Sequence, residues 1–226
     1  MRKRTATTAN LQKQSILQRG FSILEMMIVT IVIFIVVAEA VLQLEPAWQQ
    51  IQANSALNQV KTTLRQAREL SISQRRTIIV AFPAAGSGAC HNSGNVSNCI
   101  TLTLMNVTAG SPPTQTAATT PFLTAPLEGN VKFLTYTGEP DTPDAFIGTP
   151  PTAPNGIYTG SAAGAPTSGM QFESDGTFDN GSGVPINLTI FLGETNLPTT
   201  ARAITILGNT GRVTWYQGTG KAWFRV

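Results

Sequence analysis

Residues 21 to 44 form an apolar run interrupted only by Ser22, Glu25, Thr30, Glu39 and Gln43. As a helix rising about 1.5 Å per residue, this run is long enough to span the hydrocarbon core of a bilayer. The interruption that matters most is Glu25, close to the start and following Arg19-Gly20-Phe21-Ser22. A lone carboxylate among hydrocarbon tails costs about 2.5–3.5 kcal/mol or more, so an intramembrane acid is by default a functional residue with a partner.

What precedes the run fixes its expected direction. Arg2, Lys3, Arg4, Lys13 and Arg19 all lie before Phe21, with no acid among them. A basic lead before an apolar segment is the positive-inside arrangement, which puts the N-terminus in the cytoplasm and everything after about residue 45 across the membrane. Outside that lead 10 basic residues face 12 acidic ones, a balance of about −2, so the overall +3 does not describe a basic, nucleic-acid-binding body. Only 12% of residues are charged, while glycine (20) and proline (14) are plentiful, as in a β-rich, loop-rich exported domain.

Beyond residue 45 the helical pattern continues on one side. Ala53, Ala56, Leu57, Val60, Leu64 and Ala67 recur at spacings of three and four, predicting an amphipathic continuation over 46–75. Pro46 removes a backbone donor there, and predicts a kink or local melting near Glu45. After Gln74 the period changes. TIIVAF (77–82), CITLTLMNV (99–107), NVKFLTY (130–136), INLTIFL (186–192), RAITIL (202–207) and GRVTWY (211–216) read as strands between turn-forming clusters. Residues 108–126 and 138–170, rich in Thr, Ala, Pro and Gly, read as surface loops. With no second helix between the strands, the expected class is α+β: a long N-terminal helix packed on an antiparallel β domain over 76–226.

The junction Arg19-Gly20-Phe21-Ser22-Ile23-Leu24-Glu25 resembles the class III signal of type IV prepilins and type II secretion pseudopilins. Ile23 stands where leucine is commoner in that family. The resemblance implies a leader over 1–20, an assembly helix over 21–45, cleavage between Gly20 and Phe21 by the prepilin peptidase, and N-methylation of Phe21 by the same enzyme. It also implies a partner for Glu25: the new amine at Phe21 of a neighbouring subunit, since an opposite-charge pair in apolar surroundings is strongly preferred to two unpaired ions. The order of helix and strands, with Phe172, Asp175 and Gly176 and then Gly211 and Arg212, is similar to the GspH/FimT branch of minor pseudopilins. The implied function is a minor pseudopilin of a type II secretion pseudopilus, anchored in the inner membrane and assembled with other pseudopilins. The alternative is a minor type IV pilus subunit serving pilus biogenesis, motility or DNA uptake. Read without the family, Asp175-Gly176 is a turn pair and Gly211-Arg212 a hairpin corner.

A rival processing site is Ala38-Glu39-Ala40, the small-x-small form of ordinary signal peptidase cleavage, which would release a soluble product beginning at Val41. An acid inside the apolar region argues against it. Cys90 and Cys99 enclose a polar segment in an oxidising compartment and are expected to pair, since His91 is the chain's one histidine and no second cysteine pair offers metal ligands. Asp175, Asp179 and Asn180 depart from calcium-loop spacing and read as turn residues. Lys61, Arg65 and Arg68 share one side of the helix, and Arg202, Arg212, Lys221 and Arg225 are interleaved with Trp215, Tyr216, Trp223 and Phe224 near the C-terminus. Cations mixed with aromatics are the chemistry of nucleic-acid binding, a minor candidate here. No nucleophile arrangement, phosphate-cradling loop or cofactor motif is present, so an enzyme and a cofactor are not expected.

Overall fold

The computed structural model describes residues 22–83, 90–92, 95–96, 99–108, 114–152, 154–163, 169–219 and 221–225. The expected leader, Gly20 and Phe21 lie outside the described residues. Helix α1 runs Ile23–Gln74 and continues unbroken through Pro46, so the expected local melting does not occur. Pro46 is exposed, which lets water satisfy the carbonyl that loses its donor. Arg75, with φ of 51°, takes the left-handed conformation that ends the helix.

Two compact units divide the chain, Met1–Leu44 and Glu45–Val226. In the first, the described part of α1 is exposed throughout, and α1 is the one described helix long and apolar enough to cross a membrane. In the second, Ala53, Ala56, Leu57, Val60, Leu64 and Ala67 of α1 are all buried. The alanines let the helix backbone approach the sheets, while burying each larger side chain contributes about 1.5–3 kcal/mol.

The strands are β1 (Ile78–Ala81), β2 (His91–Asn92), β3 (Asn95–Val96), β4 (Cys99–Thr108), β5 (Thr114–Ala117), β6 (Leu123–Pro126) and β7 (Val131–Phe133). They continue as β8 (Ile157–Thr159), β9 (Ala162–Ala163), β10 (Gln171–Phe172), β11 (Phe178–Asp179), β12 (Leu188–Glu194), β13 (Leu197–Leu207), β14 (Arg212–Gly218) and β15 (Trp223–Arg225). Among the described residues β2 and β3 pair with each other, one larger sheet has the order β11-β10-β1-β4-β5, the other β15-β14-β13-β12-β8-β9, and every pairing is antiparallel. Each larger sheet is organised on a long strand whose far side is shared by two short ones. β4 pairs with β6 through 99–102 and with β5 through 105–108; β12 pairs with β8 through 188–190 and with β7 through 192–194.

These short strands correct the reading of 108–126 and 138–170 as surface loops. β5, β6, β8 and β9 lie in those segments, and Glu139, Thr142, Ile147 and Tyr158 are buried. Their sequences carry little apolar signal because the long partner strand supplies most of the ladder and the packing surface. Both sheets share one core with α1: Ile78, Val80, Ile100, Leu102 and Phe172 from one, Leu188, Ile190, Leu192, Ile204 and Ile206 from the other. Phe82 meets Phe133 edge-on at 5.4 Å between centroids. The opposite face of the second sheet holds Tyr158, Phe191, Ala203 and Tyr216, covered by Ile147. There Trp223 donates its Nε1–H to Pro140 O at 2.8 Å.

Candidate functional site

Three groups of residues bear on function, and each lies within one unit. The first is the apolar part of α1. Met26 N–H donates to Ser22 O at 3.1 Å, which starts the helix, and Glu25 sits in the first turn, where a carboxylate favours the positive end of the dipole. Ile23 is 83% and Phe34 75% exposed, so this surface is left for something outside the chain to cover. At 100° per residue, Glu39 falls about 40° from Glu25 around the axis and about 21 Å further along. Both acids therefore lie on one side of the apolar segment.

The second group is a corner of the β domain where three distant pieces of sequence meet. Arg68 of α1 directs its Nε–H to two carbonyl oxygens, Thr210 O at 3.1 Å and Gly176 O at 3.3 Å. Gly176 and Gly211 have φ of +85° and +59°, which glycine adopts at little cost. At Gly211 space demands glycine as well, because a Cβ there would lie 2.1 Å from Gly176 O, whereas one on Gly176 would meet only the end of the exposed Ile72 side chain, 2.8 Å away. The Phe-x-x-Asp-Gly and Gly-Arg turns thus close against each other and against α1, a packing role for the glycines of both motifs.

Beside this contact lies a recess of about 500 Å³ lined by Arg65, Arg68, Glu69, Thr210 and Arg212. Arg65 and Lys61 cover the ring of Trp215, at 4.5 and 4.6 Å from its centroid. Their proximity to Trp215 has no counterpart in the sequence spacing, since it is made by the register of β14 under α1.

The C-terminal cations are not one patch. Arg202 is fully buried: its Nε–H donates to Asn54 Oδ1 at 2.8 Å and its Nη1 to Ala201 O at 2.8 Å, while Nη2 has no partner. Burial lowers its pKa. Arg202 is therefore core, and leaves the set of cations available to a ligand. Arg212 and Arg225 both bear electrostatically on Tyr216, whose pKa burial pushes up to about 12, and Lys221 is exposed in the turn before β15. Of the four C-terminal aromatics only Phe224, 57% exposed, offers an open ring face, because Trp215 and Trp223 are half-buried and Tyr216 buried.

The third group comprises the cysteines and turn carboxylates. Cys90 and Cys99 are joined by a disulfide with Cα atoms 5.8 Å apart, closing the segment that holds β2 and β3 at the head of β4. Asp175 Oδ1 accepts from the hydroxyl and the N–H of Thr177, which hold its carboxyl below the usual value. Asp179 Oδ1 accepts from Gly181 N–H and Asn180 Oδ1 from Ser182, so all three side chains serve their own turns. A titratable group the sequence did not point to is Glu139, 1% exposed, with Oε2 accepting Tyr136 N–H at 3.2 Å and Oε1 unpartnered. Burial pushes its pKa up to about 7.

No protein-family model and no curated protein matches the chain. Among solved structures, the crystal structure of the type IV minor pilin FimU of Pseudomonas aeruginosa (strain PAO1) is similar over 78% of this chain and 95% of that one, with 15% identical residues and a TM-score of 0.43.

Proposed function

We propose that the chain is a filament subunit of the pilin type, with the role of a minor pseudopilin in a type II secretion pseudopilus. The observation that carries the reading is an apolar helix segment with no protein cover and an acid in its first turn, in direct sequence with Arg19-Gly20-Phe21. Lipid covers such a segment while the subunit is stored, and neighbouring helices cover it once assembled. On this reading the peptidase cuts after Gly20 and methylates Phe21, and Glu25 accepts the charge of a neighbour's new amine. That pair sets the axial offset of adjacent helices, because an unpaired carboxylate at this depth is penalised. The β domain stands in the periplasm, where the Cys90–Cys99 disulfide persists.

Mass spectrometry of the native protein tests this. An N-methylated chain beginning at Phe21 is expected; a chain beginning at Val41 ends the proposal. In the same preparation, Glu25→Ala is expected to keep the processed terminus while being depleted from the filament fraction.

A further inference from the structure

We propose that the recess formed by Arg65, Arg68, Thr210 and Arg212 binds a doubly charged oxyanion of the phosphoryl class. The recess is built from two elements, one turn of α1 and the corner entering β14, so its three arginines are supplied from two separate parts of the fold. Arg68 is held in place through its Nε by two carbonyls from separate turns. Among the described residues none of the three arginines forms an ion pair, although Glu69 lines the same recess. Asp175, the other acid at this corner, has its carboxylate engaged by Thr177.

Charge and shape choose the ligand. Three guanidinium groups against one carboxylate leave a balance of about +2, which matches a phosphate monoester or inorganic phosphate better than a single carboxylate. A tetrahedral group also uses donors converging from several sides, where a planar carboxylate is satisfied by one fork. A nucleic acid fits less well. No aromatic side chain lines the recess, and the nearest indole, Trp215, is covered by Lys61 and Arg65, which removes the stacking platform that single strands need.

The test is calorimetric titration of the full chain in detergent with inorganic phosphate, at constant ionic strength maintained with chloride. Saturable binding at one site is expected. Arg212→Gln should weaken it about tenfold or more, since a charge-assisted contact is worth about 1.5–3 kcal/mol. Glu69→Gln, which removes the one like charge and disturbs no hydrogen bond, should tighten it severalfold. Lys132→Gln, exposed on β7 and outside the lining of the recess, should leave it unchanged. Failure of phosphate to saturate at about 10 mM, a concentration that corresponds to barely 3 kcal/mol of binding, overturns the proposal. So does an equal loss in Lys132→Gln and Arg212→Gln, which would mark diffuse attraction. Uptake of a single-stranded oligonucleotide by a protein that ignores inorganic phosphate also overturns it, and transfers the arginines to nucleic-acid recognition.

Discussion

Glu139 is the residue whose chemistry most departs from its place in the sequence. It lies in a Thr-, Pro- and Gly-rich stretch, yet is 1% exposed with a single hydrogen bond to its carboxyl. Burial raises its pKa from a usual value near 4.5 to about 7 in the folded chain. Between those values the native state holds a proton that the unfolded state has lost, so stability falls as the pH rises through this window. The expected loss from Glu139 is on the order of 2–3 kcal/mol between pH 4 and pH 8. Chemical denaturation across that range should show it, and Glu139→Gln should flatten the slope; an unchanged slope in the variant would assign it to other groups. Nothing in the sequence marked this carboxyl, although its neighbour Pro140 is bound through its carbonyl by Trp223 from far along the chain.

At the scale of elements, the legible parts were those with a period of their own. The stripe from Ala53 to Ala67 gave the buried face of α1, and the six β-branched segments foreseen from sequence became β1, β4, β7, β12, β13 and β14. The strands missed are short, and several lie along longer ones: β5 and β6 on β4, β8 on β12 and β15 on β14. The convergence of two turns on Arg68 was illegible for another reason: its hydrogen bonds span 108 and 142 residues, and no local pattern reports a contact at that range. The individual turn chemistry was readable, while its partner was not. Gly211→Ala puts a Cβ 2.1 Å from Gly176 O at a positive φ, so the turns must separate or the backbone must move. A loss of about 2 kcal/mol or more is expected in thermal or urea unfolding, the range of strained backbone positions. A variant as stable as the parent would show that the corner yields without cost.

At the scale of the whole molecule, the two compact units differ in what completes them. The unit from Glu45 to Val226 contains its own core, to which α1 contributes Ala53, Leu57, Val60 and Leu64 beside both sheets. Residues 45–226 expressed alone are therefore expected to fold as a water-soluble domain with one cooperative transition. A chain of residues 76–226, lacking that helical face, is expected to fail, since losing Leu57, Val60 and Leu64 and uncovering the sheet residues packed on them is comparable to the margin of about 5–15 kcal/mol of an ordinary domain. Circular dichroism melts of the two fragments decide the matter, and a cooperative melt from the shorter one would show that the sheets are self-sufficient.

Every outermost strand among the described residues, β2, β3, β5, β6, β7, β9, β11 and β15, is four residues long or less. Among the described residues, crowded copies of such a domain thus present only short runs of open amides for one another to zip onto. A protein built this way can be crowded to high density without coalescing into fibrils through its sheets.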